Sequence, residues 1–261
     1  MTNTPTNQAL TAIKNNADIL HIASLVDRTL RVNKPKSLLA FGDAKSSKGE
    51  ALGYRTGVLY LAPHYQSGFN VCPKASPGCS EACLYTAGRG AMTSVQLGRL
   101  RKTRFLMECR NDALSILRAD ITKLIRYCDR HGMKPAVRLN GTSDLPWQSK
   151  NFGALPEIFP DVQFYGYTKI LKNLRTQSNY HQTFSLSEDN AADARKALEM
   201  GYNIAVVFDE LPDTFWGRPV VDGDKHDLTF LHPAGTVIGL KAKGAARRDT
   251  SGFVQLTRKG A

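Results

Sequence analysis

The fold is indicated by PAVRLNG at residues 135–141, a strand-like segment whose pattern recurs four times towards the C-terminus. The later copies are VQFYGYTK (162–169), HQTFSLS (181–187), NIAVVFD (203–209) and VIGLKAKG (237–244). Helical patterns lie among them at residues 152–159, 170–176 and 190–200. Strands that alternate with helices predict a parallel sheet, so we expect an α/β fold that is TIM-barrel-like, with the barrel complete or partial.

These strands alternate between an apolar and a polar parity. A parallel strand that is covered by helices should be apolar on both faces. A polar parity shared by five strands therefore predicts a common lined cavity, and the alternative is a sheet with one face in solvent. The polar positions are Arg138, Asn140, Gln163, Tyr165, Tyr167, Lys169, Thr183, Ser185, Ser187, Asn203, Asp209, Lys241 and Lys243.

The chain before residue 135 predicts additional elements. Residues 9–30 place apolar side chains at helical spacing, which indicates a helix. Residues 37–41 and 57–62 are strand-like and predict a hairpin outside the main sheet. We expect an N-terminal helical extension at residues 1–36 and one TIM-like α/β domain at residues 37–261.

Two further helices are predicted at residues 95–107 and 113–131. Thr93 is the expected N-cap of the first, and Gly132 is expected to end the second. A cysteine-containing loop at residues 72–90 precedes them.

Composition restricts the class of protein. With 42% hydrophobic residues, a chain of 261 residues can bury a sizeable core. No apolar run reaches the roughly 18 residues that a membrane span needs, and the first residues lack the pattern of a secretory signal. We therefore expect no membrane partner. Five cysteines, an odd number concentrated in one loop, indicate a reducing compartment and metal ligation rather than a disulfide framework.

The formal net charge of +12 indicates an anionic partner, a small anionic substrate or nucleic acid, or else solubility through self-repulsion. A cationic groove and a solvated helix face explain the first of two basic runs equally well. The runs are Arg99, Arg101, Lys102 and Arg104, and then Lys241, Lys243, Arg247, Arg248, Arg258 and Lys259.

The loop CPKASPGCSEACLYTAGRG, residues 72–90, carries the main chemical signal. Cys72, Cys79 and Cys83 follow the spacing C-x6-C-x3-C, and the loop has few apolar side chains to bury. Ligand bonds to a metal or cluster would order such a segment. Three thiolates favour a [4Fe–4S] cluster over zinc, which usually takes four ligands from paired C-x2-C units. Three small buried cysteines without metal are the remaining alternative.

A [4Fe–4S] cluster held by three cysteines leaves one iron for another ligand. That position could stay open for substrate, water or S-adenosylmethionine, or could be filled by Cys109, Cys128 or His64. Radical chemistry with S-adenosylmethionine is typical of the spacing C-x3-C-x2-C in a partial TIM barrel. Cys79 and Cys83 supply C-x3-C, but Thr86 stands where the third cysteine would be. The expected fold favours that class, and the spacing argues against it.

Catalytic residues are expected where the strands end, because TIM-type active sites lie at the carboxyl ends of strands. An iron without a cysteine ligand is a Lewis acid, and a serine beside a lysine can hydrolyse an ester, although no G-x-S-x-G motif is present. Arg89, before a helix start, is a candidate for holding an anionic cofactor group. The predicted catalytic residues are Asp144, Lys169, Ser185, Ser187, Asp209 and Lys241.

Several segments in order resemble the phage proteins called gene product eighty-eight, over residue 41 to the C-terminus. They are the cysteine loop, MTSVQLGRLRKTR (92–104), RLNGTSDLPW (138–147), FYGYTK (164–169), FSLSE (184–188) and GLKAKG (239–244). The resemblance implies a virus-encoded protein of the host cytoplasm that is distantly similar to radical-SAM proteins. It also implies that the three loop cysteines ligate a cluster.

The sequence thus predicts an iron–sulfur enzyme with hydrolytic, esterase-like or other Lewis-acid chemistry. A radical-SAM-like enzyme is the first alternative. A cluster-stabilised nucleic-acid-binding protein is the second, and it would bind with a steep salt dependence.

Overall fold

The computed structural model describes residues 34–42, 47–174 and 178–257. In this part of the chain, nine strands form one mainly parallel sheet in the order β1-β2-β3-β4-β5-β8-β7-β6, and β9 pairs with the end of β5. Only β6 and β7 pair in antiparallel fashion. The strands are β1 (Tyr54–Val58), β2 (Lys134–Arg138), β3 (Gln163–Thr168), β4 (Tyr180–Ser185), β5 (Ile204–Phe208), β6 (Thr214–Phe215), β7 (Arg218–Asp222), β8 (Val237–Lys241) and β9 (Val254–Gln255).

All five strands that the repeated pattern predicts are present and parallel, as β2, β3, β4, β5 and β8. The prediction of a separate hairpin is wrong, because Tyr54–Val58 pairs along its whole length with Lys134–Arg138 and so extends the main sheet. The expected partner segment retains one antiparallel bridge, between Ala40 and Val58. The segment around Ala40 thus contributes one bridge, whereas all five residues of β1 pair with β2.

The predicted α/β class with a mainly parallel sheet is confirmed, but the sheet is not closed within the described residues, so the TIM-barrel-like arrangement is not confirmed. Helix α1 (Ser47–Glu50) packs beside β1 and meets the segment that follows β7. A Cβ on Gly49 would lie 3.3 Å from the Leu228 side chain, and the Lys48 ammonium donates to the Asp224 carbonyl over 2.9 Å. These contacts join α1 to the segment that follows β7.

Six α-helices and several short 3-10 helices accompany the sheet in the described residues. Gly132 ends α4 in the left-handed conformation, at φ 62°, as predicted. Met92, and not Thr93, occupies the N-cap position of α3. The helices after α1 are α2 (Pro77–Glu81), α3 (Thr93–Glu108), α4 (Arg110–His131), α5 (Leu155–Ile158) and α6 (Ala191–Glu199).

The short connections differ from the predicted helices. The segment at 152–159 contains a 3-10 turn and the one-turn α5, and the segment at 170–176 contains only the 3-10 helix Leu171–Asn173. The third, at 190–200, is confirmed as α6. The helix predicted at residues 9–30 lies outside the described residues.

Helices α4 and α6 cover the apolar parity of the sheet. Leu117 and Ile121 of α4 share a buried cluster with Val137 and Phe164. Likewise, α6 packs Ala194 and Leu198 against Phe184 and Val206. Burying each large apolar side chain contributes roughly 1.5–3 kcal/mol, so this face holds the sheet to its helices.

The opposite, polar face carries Arg138, Tyr165, Tyr167, Lys169, Thr183 and Ser185. Part of it is covered by the segment after β7, because Leu228 and Phe230 pack with Ala136 and Tyr165. Asp227 from the same segment accepts hydrogen bonds from the Arg138 guanidinium at 2.6 Å and the Tyr165 hydroxyl at 3.2 Å. The predicted polar face therefore exists, and protein groups pair with it at one end. In the described chain, no helix is both long and apolar enough to cross a membrane.

Candidate metal centre and active site

Loops after three neighbouring strands meet at the carboxyl edge of the sheet. Asp144 follows β2, Lys169 comes directly after β3, and Glu188 follows β4. The Asp144 carboxylate accepts the Lys169 backbone N–H over 2.8 Å, and Glu188 reaches the cysteine loop. The parallel register thus brings residues that are far apart in sequence to one place.

Glu188 fixes the centre of the cysteine loop. Its carboxylate accepts the Ser76 hydroxyl and the Gly78 backbone N–H, each over 2.7 Å. The Ser76 oxygen in turn accepts the Cys79 N–H at 3.2 Å as the N-cap of α2. Gly78 fits closely, since a Cβ there would lie 2.0 Å from the Ser251 oxygen and 2.9 Å from the Phe253 Cβ.

The remainder of the loop also packs against protein. Ala82 is buried with Ala246 and Phe253. Gly244, at φ +57°, sits so close to Ala87 that a Cβ would approach it to 2.9 Å. The loop therefore makes contacts with the rest of the protein that the sequence does not indicate, and its ordering by a metal or cluster stays a prediction.

Cys72 lies at the start of the loop, partly buried. Its sulfur accepts the His64 backbone N–H at 3.4 Å and donates to the Thr142 carbonyl at 3.7 Å. Burial raises the pKa of this thiol to about 12, against the opposing effect of the His64 N–H. The Cys83 and Cys79 thiols raise it further, which places the three sulfur atoms within electrostatic reach of one another.

Cys79 and Cys83 lie beside cations. Burial raises the pKa of the Cys79 thiol, and the Lys169 ammonium opposes the shift. Burial also raises the pKa of Cys83, opposed by the Tyr85 backbone N–H, the Arg99 guanidinium and Lys169. The three thiols are therefore protonated at neutral pH without a ligand, and metal binding must displace their protons.

Asp144 and Lys169 complete this cluster, which we call the thiol site: Cys72, Cys79, Cys83, Asp144 and Lys169. Asp144 is 8% exposed, and its Oδ1 atom has no hydrogen-bond partner among the described residues. Burial raises the pKa of its carboxyl, against the Lys169 N–H bond. The Lys169 ammonium donates to the Ser185 hydroxyl over 2.8 Å.

Other predicted site residues lie outside this cluster or serve local structure. The Ser187 hydroxyl is buried and donates to Asp189 at 2.8 Å. Asp209 accepts hydrogen bonds from the backbone and hydroxyl of Thr257, both over 3.0 Å. Lys241 and Arg89 are exposed. Of the predicted catalytic residues, the structure gathers Asp144, Lys169 and Ser185.

The candidate fourth ligands differ in position. Cys109 lies at the junction of α3 and α4, and Cys128 is buried in the α4 core. Burial raises the pKa of Cys128, with Asp129 and Arg55 as its charged neighbours. His64 approaches Cys72 through its backbone N–H.

Two residues of the site were not singled out by the sequence. Glu188 stands at the end of FSLSE, where only its place after a strand marks it. Arg99 belongs to a basic helix run that a solvated face explains equally well, yet its guanidinium lies 5.1 Å from the Tyr60 ring centre and 5.9 Å from that of Tyr85. Contact with the cysteine loop, not helical spacing, distinguishes it from its neighbours.

Two other features bear on metal and ligand binding. The described residues contain no group of three or more His, Cys, Asp or Glu side chains placed to hold a metal ion. A cavity of about 510 Å³ lies elsewhere, lined by Asp213, Asp222, His226 and His232 among others, and includes none of the predicted site residues.

Fold and site define this chain as a mainly parallel α/β protein with three partly buried thiols at the carboxyl edge of its sheet. The family model named Gene product 88 matches residues 37–256, and the chain belongs to that family of phage proteins. The resemblance that the sequence motifs indicate is thereby confirmed. No curated protein and no solved structure matches the chain.

Proposed function

We propose that this protein is an iron–sulfur enzyme of the infected host's cytoplasm, in which Cys72, Cys79 and Cys83 hold a [4Fe–4S] cluster. The observation that carries the proposal is the position of three partly buried thiols, beside the cations Lys169 and Arg99, at the carboxyl edge of a parallel sheet. Deprotonated together, three partly buried thiolates would repel one another, and an iron–sulfur core would offset their charge.

The spacing of the ligands favours a cluster over zinc. Thiolates that share one tetrahedral zinc at about 2.3 Å lie roughly 3.8 Å apart. A cubane cluster binds each thiolate at a different iron and so spreads them further. The sequence spacing C-x6-C-x3-C fits a cluster with one open iron better than zinc, which usually takes four ligands from paired C-x2-C units.

A bound cluster with one iron free of cysteine would supply Lewis acidity at this edge. The protein's own residues supply the rest. Lys169 Nζ presents a positive charge to an anionic substrate and holds the Ser185 hydroxyl at 2.8 Å. Asp144 Oδ1 is buried and has no hydrogen-bond partner among the described residues, and a carboxyl at this place can take or give a proton. Ser185 is the preferred nucleophile for ester hydrolysis, because the Ser187 hydroxyl is engaged by Asp189.

The test is anaerobic purification followed by iron, sulfide and zinc analysis and a visible spectrum. We expect near-equal iron and sulfide with broad visible absorption in the wild type, and loss of both in Cys79→Ala. Cys128→Ala is the matched control, since it removes a cysteine of the α4 core and should keep the cluster. Stoichiometric zinc without colour, or a cluster that survives in Cys79→Ala, would contradict the proposal.

Radical chemistry is the second candidate, and it is supported by the six parallel strands that follow one another as β1-β2-β3-β4-β5-β8. On this proposal the open cluster position binds S-adenosylmethionine. The chemically reduced protein should then cleave S-adenosylmethionine, whereas the hydrolytic enzyme should leave it intact and turn over esters in a Ser185-dependent way.

A nucleic-acid-binding role is supported by the surface beside the cysteine loop. Gly244 packs on Ala87, which brings the exposed Arg247 and Arg248 towards the segment that contains the exposed Arg89. If this surface binds DNA or RNA, log affinity should fall linearly with log salt, with a slope close to the number of phosphates contacted. Weak, salt-insensitive binding would exclude the role.

A further inference from the structure

Arg99 lies against the cysteine loop with donors that the protein leaves unused. It projects from α3 onto the faces of Tyr60 and Tyr85. Its Nε and Nη1 atoms are buried, and neither has a hydrogen-bond partner among the described residues. The Tyr85 hydroxyl, on a side chain only 2% exposed, is likewise buried without a partner.

Charged neighbours distinguish Arg99 from other arginines of the fold. Arg138 contacts Asp227 at 2.6 Å, and Arg104 contacts Glu108 at 2.7 Å. Tyr60, Cys83 and Tyr85 oppose the effect of burial on the pKa of Arg99, and no ion pair among the described residues includes Arg99. A guanidinium stays charged even when burial lowers its pKa. A partly buried cation without an anion is costly, so this position is suited to a bound anion.

We propose that Arg99, with the Tyr85 hydroxyl and the Tyr60 ring, binds the oxyanion of a small molecule, a carboxylate or a phosphate, next to Cys83. This subsite rests on the proposed function in one respect, because it would direct the rest of that molecule towards the thiol site. The planar guanidinium matches carboxylate and phosphate oxygens, and the two tyrosine rings hold its plane. Arg99 remains partly exposed, so the anion reaches it from solvent.

Anion titration of the full-length protein tests the subsite. Thermal unfolding and calorimetry are followed with inorganic phosphate, acetate and chloride at matched ionic strength, for wild type, Arg99→Gln and Arg101→Gln. Arg101 is exposed on the same helix and carries the same charge, so it controls for net charge. We expect phosphate or acetate, but not chloride, to raise the melting temperature of wild type and Arg101→Gln. Affinity should fall at least about tenfold in Arg99→Gln, the range expected for a lost charge-assisted hydrogen bond.

Equal oxyanion affinity in Arg99→Gln, or wild-type stabilisation no larger than with chloride, would overturn the proposal. Comparing acetate with phosphate identifies the type of oxyanion. If Arg99→Gln does not fold, Arg99→Lys is used, which keeps the charge but loses the planar donor set. It should bind more weakly than wild type, and unchanged affinity there would also overturn the subsite.

Cys79→Ala separates this proposal from the cluster. Oxyanion binding that persists in that variant, whether or not wild type holds iron, supports the subsite independently of the metal. An iron-loaded wild type whose oxyanion binding ignores Arg99 leaves the cluster in place and removes the subsite.

Discussion

The polar face of the sheet and the loops at its carboxyl edge form two regions, which differ in whether a buried cation has a carboxylate partner in the protein. At one, which we call the paired region, Arg138 donates to Asp227 over 2.6 Å and stacks 4.8 Å from the Tyr167 ring centre. At the carboxyl edge, the Asp144 Oδ1 atom and the Arg99 Nε and Nη1 atoms are buried without hydrogen-bond partners among the described residues. Both regions are polar, but the Arg138 guanidinium pairs with a carboxylate of the protein, whereas Arg99 pairs with none among the described residues.

This difference helps to distinguish groups that stabilise the fold from groups that are candidates for ligand binding. A buried polar group that is paired contributes to the fold, whereas one without a partner is costly unless a ligand completes it. This criterion favours a structural role for the Arg138–Asp227 pair, and it is the reason that we propose ligand binding at the thiol site and Arg99. Substitutions in the two regions should therefore separate stability from metal and anion binding.

Breaking the paired region should give the largest loss of stability. Asp227→Asn leaves the Arg138 guanidinium buried without its counterion, so urea unfolding should show a loss of about 3–5 kcal/mol. Because the hydrogen bonds of Asp227 with Arg138 and Tyr165 involve none of the thiol ligands, the iron content of the folded protein should be unchanged. Glu108→Gln, which breaks the part-exposed Arg104 pair within α3, should cost under about 1 kcal/mol. A loss of iron in Asp227→Asn would contradict this prediction, because it would show that metal binding depends on the paired region.

The pH dependence of stability tests the polar face at His181, which lies at the start of β4. Burial, and then the nearby His232, lower the pKa of its imidazole from 6.5 to about 4. The folded state therefore binds fewer protons than the unfolded chain between these values. Stability that is fully present above pH 6.5 should decline as the pH falls towards 4, by up to about 3 kcal/mol at about 1.4 kcal/mol per pKa unit.

The control for this titration is His181→Asn, in which most of that decline should disappear. The exposed His131→Asn variant should behave as wild type does. If His181→Asn retains the full acid dependence, other groups carry it.

The sequence predicts the frame of this fold well and the site only in part. The strands at 135–141, 162–169, 181–187, 203–209 and 237–244 are recognisable because their alternation is local. The position of β1 is not, since it depends on pairing with a strand 80 residues later in the chain (Tyr54 with Lys134). The contact of Gly49 with Leu228 likewise joins residues that are far apart in the sequence, and no local pattern predicts it.

The site residues are likewise predicted where the signal is local and missed where it depends on distant contacts. Cysteine spacing identifies the loop, and position after a strand identifies Asp144 and Lys169. Neither signal tells that Ser187 donates to Asp189 or that Asp209 binds the C-terminal segment at Thr257. Arg99 differs from Arg101 only through the tyrosines that the fold places over it. Such pairings are decided by tertiary contacts, which a single sequence does not display.

Overfilling the carboxyl edge should have a moderate effect that falls on metal as well as stability. In Gly78→Ala the new methyl meets the Ser251 oxygen and the Phe253 Cβ, so the cysteine loop must shift, at about 1–3 kcal/mol. Iron should then be lost faster to a chelator. Gly98→Ala is the matched control: the position is helical and open, and stability should rise by about 0.5–1 kcal/mol. Equal chelation rates in the two variants would argue that loop geometry does not control metal retention.

The smallest expected effect is removal of the cap that holds Cys79. Ser76→Ala loses the bond to the Cys79 N–H and the bond to Glu188, and should cost about 1 kcal/mol. Glu188 keeps its bond to the Gly78 N–H, so the loop should stay folded. If the carboxyl edge is a ligand site built on this loop, metal retention should weaken more than urea stability does. A variant that loses stability but holds iron as firmly as wild type would place Ser76 with the structural groups of the paired region.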